Sequence, residues 1–160
     1  MNYPTATVET DHGTFEVELW TDVAPGHAAN FTKLVSKGFY DGLSFHRILP
    51  GFVIQGGCPK GDGTGGPGWN VKAEFNERKH EEGVLSMARS GDPDSAGSQF
   101  FVCLGRDHCK HLDKQYTAFG KVTKGIEAVR AIAATPLASA REGRPSKAPR
   151  MTKVRLNAAK

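Results

Sequence analysis

The sequence predicts a mainly β chain, a closed eight-stranded barrel whose ends are covered by two α-helices. Three observations predict it. Eight short stretches carry strand signals, most of them alternating apolar and polar residues, while only two show the three-to-four spacing of an amphipathic helix. Glycine supplies 19 of the 160 residues, about 12% against ~7% in ordinary chains, and shows no collagen period. Glycine in excess suits short strands and tight loops. Eight such strands favour a closed sheet, because closure removes unpaired edges.

The elements follow in chain order. Ala6 and Val8 share one face of residues 5–10, and Phe15, Val17 and Leu19 alternate with Glu16 and Glu18 through residues 14–20. Asp11-His12-Gly13 between them has the length of a hairpin turn. Over residues 25–37 the period becomes helical. Pro25 suits a first turn, Ala28, Phe31, Leu34 and Val35 form one face, and Gly38 stops the helix. Strands are predicted at residues 43–48, 52–55, 84–88, 100–104, 117–122 and 152–158. The second helix takes Thr123 as N-cap, sets Ile126, Val129, Ile132 and Ala133 on one face, and ends before Pro136. Residues 135–150, with Pro136, Pro145 and Pro149, read as an exposed connector. Two long loops, residues 56–83 and 104–116, stand out as functional candidates.

Composition narrows the function classes. Hydrophobic residues at 38% and charged residues at 24% are ordinary globular usage, and the length fits a single domain over residues 1–160. A net charge of +4 comes from 21 Lys and Arg scattered along the chain, so no nucleic-acid partner is expected. The odd cysteine count, Cys58, Cys103 and Cys109, fits a reducing compartment rather than a disulfide framework. Tyr3-Pro4-Thr5 leads straight into a strand without a basic or apolar leader, and no run of 18 apolar residues occurs. A soluble, cytoplasmic protein with no membrane partner is expected.

The densest motif is Phe45-His46-Arg47-Ile48-Leu49-Pro50-Gly51-Phe52-Val53-Ile54-Gln55-Gly56-Gly57. A Pro50-Gly51 turn between two strands places Arg47 and Gln55 on neighbouring strands and the same side, with Phe52 nearby. A glutamine carbonyl can orient a guanidinium without neutralising it, which leaves other N–H groups for a ligand. An isolated rim arginine is more often structural. This one has company.

With that motif, Gly63-Thr64-Gly65-Gly66, Leu85-Ser86-Met87-Ala88, Gly97-Ser98-Gln99-Phe100-Phe101 and Phe119-Gly120-Lys121-Val122, the sequence resembles the cyclophilin family of peptidyl-prolyl cis-trans isomerases over roughly residues 6–156. The resemblance implies an antiparallel cyclophilin-like barrel and catalysis without a cofactor or metal. It makes Arg47 the catalytic arginine, supported by Gln55 and Phe52. Phe52, Val53, Phe101 and Leu112 would wall a proline pocket, with Val53 where many relatives carry methionine. Gly63, Ala88, Arg89, Ser90 and Gln99 would border the groove for residues that precede proline, with His46 at its edge. His111 stands where the best-known members have tryptophan, and Tyr116 where they have histidine. The first departure implies weak cyclosporin binding. Proline-containing peptides and unfolded or exposed protein segments are the implied partners, the role is assistance to protein folding, and a monomer is expected.

Other chemistry competes less well. Residues 61–68 are glycine-rich but lack the Gly-Lys-Ser/Thr ending of a phosphate loop. Asp92-Pro93-Asp94 resembles the start of a calcium loop, yet Cys103 stands where a bidentate Glu is required. Cys103, His108, Cys109 and His111 include metal-ligand types within nine residues, although adjacent His108 and Cys109 cannot easily face one ion. Cys58, at a loop start, is expected to be an exposed, oxidisable thiol. Asp41, Ser44 and His46 lack the nucleophile turn of a hydrolase.

Overall fold

The computed structural model describes residues 2–158. Strands β1 (Thr5–Thr10) and β2 (Gly13–Leu19) form the predicted hairpin, and α1 (Pro25–Ser36) follows. Next come β3 (Arg47–Leu49), β4 (Val53–Gly56), β5 (Val84–Met87) and β6 (Phe100–Cys103). A one-turn helix α2 (Arg106–Cys109) runs into a 3-10 turn at Lys110–Leu112. The chain ends with β7 (Ala118–Lys124), α3 (Ile126–Ala133), β8 (Leu137–Ser139), β9 (Arg144–Pro145) and β10 (Met151–Leu156). Eight strands make one sheet, ordered β10-β1-β2-β7-β5-β6-β4-β3 and antiparallel at every step.

The sheet is a curled half-barrel rather than the closed barrel expected. Its end strands, β10 and β3, form no ladder with each other. The reason lies in residues 135–150. They are not a bare connector, because β8 and β9 pair as a small hairpin whose Gly143 carbonyl accepts the Ile48 N–H at 2.6 Å. That contact occupies the outer edge of β3. The segment before β3 spans the gap instead: Ser44 bridges Arg150, the Phe45 N–H donates to the Pro149 carbonyl at 2.8 Å, and Met151, the first residue of β10, donates its N–H to the Leu43 carbonyl and accepts the Gly42 N–H, both at 2.7 Å.

The helices depart from expectation at the cap of the second predicted one and in the presence of a third. α1 keeps its predicted start and buried face, and its first N–H groups, those of Gly26 and His27, donate to the carboxylate of distant Glu74. Thr123 does not cap α3. It lies within β7 and donates its hydroxyl to the Glu16 carbonyl. Gly125 takes the cap position at φ +80, where a Cβ would collide with the Thr14 carbonyl oxygen, so only glycine fits. α2 makes a third helix in a stretch expected to be loop, since one turn is too short to display a 3.6-residue period.

The main core lies inside the curl. Phe31 of α1 packs against Tyr40, Phe100 and Phe119 at ring separations of 5.2, 5.8 and 5.6 Å. Strand alternation sorts the central strands. Ile48, Ile54, Val102 and Leu85, in register across β3, β4, β6 and β5, are fully buried in this core. Their neighbours in sequence therefore face the opposite side, against a smaller apolar cluster of Trp20, Val53, Val84, Phe101, Cys103, Cys109, Leu112 and Ala118. The site is built on that side.

Candidate active site

The register that buries Ile48 and Ile54 sets Arg47 directly opposite Gln55, Gln55 opposite Phe101, and Phe101 opposite Ser86. Directly paired residues of antiparallel strands share a face. A row of four side chains thus crosses β3, β4, β6 and β5, and a cavity of about 340 Å³ lies over it. Phe52, Val53, Phe101 and Leu112 form its apolar wall, Arg47 and Gln55 its polar end. Ala88, Arg89, His111 and Tyr116 complete the lining. The turn that carries Phe52 is tied on both sides, by Phe52 N–H to the Leu49 carbonyl and Leu104 N–H to the Phe52 carbonyl.

Gly63, Ser90 and Gln99 lie apart from this cavity and line an adjoining one of about 710 Å³, which also shares Gln55, Ala88 and Arg89. His46 lines neither. It sits half-buried behind the loop, its Nε2 edge toward Gly63 and its Nδ1 without a partner, and burial holds its pKa below the ordinary value.

The expected bond from the Arg47 guanidinium to the Gln55 carbonyl is not formed among the described residues. Gln55 Nε2 donates to Gln99 Oε1 at 3.2 Å, and Gln99 Nε2 in turn donates to the carbonyls of Gly63 and Gly65, both at 2.9 Å. This chain of amides commits the Gln55 nitrogen and leaves its oxygen free to accept. The guanidinium of Arg47 is exposed and, among the described residues, makes no hydrogen bond or ion pair. An arginine with all its donors free, at the end of an apolar cavity, is placed to meet a ligand.

Comparison with known proteins identifies the family. Residues 5–156 match the family model for the cyclophilin type peptidyl-prolyl cis-trans isomerase. The chain belongs to the cyclophilin family. It is 54% identical over 119 residues to peptidyl-prolyl cis-trans isomerase B of Bacillus subtilis, a match covering 73% of this chain and 81% of that one. A crystal structure of a cyclophilin type peptidyl-prolyl cis-trans isomerase from Cryptosporidium parvum superposes with a TM-score of 0.92 at 29% identity, covering 99% of this chain and 100% of that one. A second structure of that protein, in the presence of the dipeptide Ala-Pro, gives a TM-score of 0.89 at 29% identity over 96% and 99% of the two chains.

Behind the pocket of this cyclophilin lies a buried polar group that sequence reasoning missed. His80 stacks on Phe101 with ring centroids 6.2 Å apart and planes 24° from parallel. Its Nδ1 is 3.1 Å from Asp113 Oδ1 and its Nε2 2.8 Å from Ser86 Oγ. A carboxylate only accepts, so Nδ1 carries the proton and Nε2 accepts from the serine hydroxyl. Asp113 also receives the His80 N–H at 2.8 Å and pairs with Arg106 at 2.7 Å, and that guanidinium holds its carboxyl well below the usual carboxylate range. Burial pushes the His80 pKa down and outweighs the carboxylate beside it. The Ser86-His80-Asp113 order is that of a hydrolase triad, but Ser86 and His80 are wholly buried and no substrate reaches them. Their work is to hold Phe101 from behind, while Tyr116 meets its edge at 5.8 Å and 80°. His80 and Asp113 come from the two long loops, whose local patterns give no sign of the meeting.

The cysteines depart from expectation as well. All three are buried. Cys58 is not an exposed thiol: its sulfur accepts the Gly65 N–H at 3.2 Å and lies over the Asp62 carboxylate. Cys109 donates to the Phe52 carbonyl at 3.3 Å and shares the small cluster with Cys103. His108 and His111 are exposed, the latter with its ring 5.8 Å from Phe52. The four residues that raised a metal reading thus diverge, and no group of three or more ligand-type side chains among the described residues is placed to hold an ion. Asp92 and Asp94 spend carboxylate oxygens on the N–H groups of Asp94 and Ala73. No helix is long and apolar enough to cross a membrane.

Proposed function

We propose that this cyclophilin performs its family's reaction, rotation about X-Pro peptide bonds, in the 340 Å³ cavity, with Arg47 as the catalytic residue. The barrier to amide rotation, about 18 to 20 kcal/mol, arises because nitrogen shares its lone pair with the carbonyl. As the bond twists, the prolyl nitrogen becomes pyramidal and its lone pair localises. A guanidinium N–H bonds that lone pair far better than it bonds the planar nitrogen, so Arg47 stabilises the transition state selectively. Phe52, Val53, Phe101 and Leu112 hold the pyrrolidine ring still while the preceding carbonyl swings. The apolar wall lowers the local dielectric and strengthens the interaction at the arginine. No bond to carbon breaks, and the reading assigns no cofactor. The single observation that carries it is the exposed, unpartnered Arg47 set opposite Gln55 at the end of an apolar cavity.

The substrates on this reading are proline-containing peptides and exposed segments of client proteins, met by a monomeric single domain in the cytoplasm. Three unbridged cysteines support the reducing compartment. Gly63, Ala88, Arg89, Ser90 and Gln99 border the path of the chain flanking the proline, and His46 stands behind it. His111 lies beside Phe52 in place of a larger indole, which supports weak cyclosporin binding. Arg47→Ala is expected to lower kcat/KM on a short proline peptide about 10²- to 10³-fold, with an unchanged circular dichroism spectrum. Turnover close to that of the wild type would sink the mechanism.

A further inference from the structure

We infer that the larger cavity selects substrates carrying a carboxylate side chain within a few residues of the proline, read by Lys60 and Arg89. The inference rests on the isomerase reading of the smaller cavity. The two cavities share Gln55, Ala88 and Arg89, so a peptide seated over Phe101 continues into the larger space of about 710 Å³. One wall of that space is the loop from Lys60 to Asn70, which lines it with the glycines at positions 63, 65, 66 and 68. Glycine leaves little side chain to recognise. The charged side chains that line the cavity are Lys60 and Arg89, and both are cationic.

Neither cation is in an ion pair within 4.0 Å among the described residues, although Lys60 is near enough to Asp62 to help hold that carboxyl below its ordinary pKa. Arg89 donates Nε and Nη2 to the Gln115 carbonyl at 3.0 and 2.9 Å and Nη1 to the Ser90 carbonyl at 2.9 Å, and it lies over the Tyr116 ring at 4.5 Å. Carbonyls and a ring face fix the guanidinium but leave its charge, and two of its five N–H groups are uncommitted. Lys60 is exposed, and among the described residues it makes no ion pair within 4.0 Å. The nearby carboxylates are directed elsewhere. Asp62 Oδ1 accepts from the Thr64 N–H and hydroxyl at 2.9 and 2.6 Å, and Asp92 and Asp94 hold loop N–H groups. A bound peptide therefore meets fixed and mobile positive charge with no lining carboxylate in competition.

The test is a set of proline peptides bearing Glu, Gln or Lys at each position flanking the X-Pro unit. Isomerisation is followed at low ionic strength with the wild type and with Lys60→Glu. At the position that enters the cavity, Glu is expected to exceed Lys by about fivefold in kcat/KM, chiefly through KM, as for one half-exposed ion pair. The preference should shrink toward parity in Lys60→Glu, where Arg89 remains and a carboxylate opposes it, with a circular dichroism spectrum reporting that the variant is folded, and it should fade in high salt. Equal values for the three side chains at every position overturn the inference, as does a Glu preference undiminished in Lys60→Glu or in high salt. Should no peptide be turned over, the isomerase reading fails by itself. Equilibrium binding of the same peptides then decides, with Glu ahead of Lys upholding the inference and equal binding overturning it.

Discussion

The two cavities that meet at Gln55 are made of different material. The smaller stands on a row of side chains from β3, β4, β6 and β5 whose inner members are backed, Phe101 and Ser86 by His80 and Gln55 by Gln99, while Arg47 at the outer end is free among the described residues; the strands themselves rest on the buried row Ile48, Ile54, Val102 and Leu85. The larger is walled on one side by loop backbone, held by a few hydrogen bonds to Gln99, Asp62 and the Cys58 sulfur. The contrast separates two tasks. A reaction that needs one N–H at one nitrogen is served by strands that fix a side chain to fractions of an ångström, whereas a flanking chain of variable sequence is served by a compliant wall with charge. If the contrast is real, substitutions on the sheet side cost much more stability than substitutions on the glycine side.

The largest effect is expected at Phe101. Phe101→Ala removes the ring that separates Gln55 from Ser86 and leaves the faces of His80 and Tyr116 without a partner. A buried Phe to Ala change costs about 3–5 kcal/mol. Urea unfolding should show a lowered midpoint, and kcat/KM should fall as the pocket loses its floor. A loss below about 1 kcal/mol would show that the sheet face is no better packed than a loop, and the contrast would break there.

A smaller effect tests the polar backing. His80→Phe keeps a flat ring against Phe101 but strands the Ser86 hydroxyl and one contact of Asp113, at a cost of about 1–3 kcal/mol. The pH dependence carries the signature. His80 is held neutral by burial, with Asp113 opposing and with Arg106 and His111 adding to the depression. Its folded pKa is below the unfolded value of about 6.5, so in that window the unfolded chain binds more protons. The stability from the neutral ring is complete above about pH 6.5 and is lost as pH falls below it. Urea midpoints near about pH 8 and about pH 5 should therefore differ less in His80→Phe than in the wild type. Some slope remains, because burial also depresses His27 and His46. An unchanged difference would mean that His80 does not titrate on unfolding.

Much of the sheet side was legible in the sequence because its information is local. A two-residue period with a Pro50-Gly51 turn is enough to pair Arg47 with Gln55, and Phe45 to Gly57 carries both strands. The continuous run Phe100-Phe101-Val102-Cys103 marks a strand covered on both faces, which is how one residue serves the core and the next the pocket. The resemblance named Gly63, Ala88, Arg89, Ser90 and Gln99 on the glycine side, but the bonds that hold that side and the backing of Phe101 were not legible. His80 meets Asp113 across two aperiodic loops, and Gln99 reaches Gly63 and Gly65 over more than thirty residues. The β8–β9 hairpin was hidden for a related reason: its strands are three and two residues long, too short to alternate, and it is fixed by Gly143 against Ile48 rather than by its own pattern. That same hairpin is why the sheet stays open.

The smallest effect sharpens the contrast from the other side. Gly66 lines the larger cavity, yet a Cβ built there meets no heavy atom within 4 Å, and its φ lies outside the left-handed region. Nothing in the folded chain then requires glycine at that position, while glycine's extra freedom favours the unfolded chain through entropy. Gly66→Ala should raise stability by about 0.4–1 kcal/mol through the unfolded state, read as a modest increase in Tm. A loss of more than about 1 kcal/mol would mean that the loop is held as tightly as the strands opposite. The division between a fixed reactive face and a compliant recognition wall would then have to be drawn elsewhere.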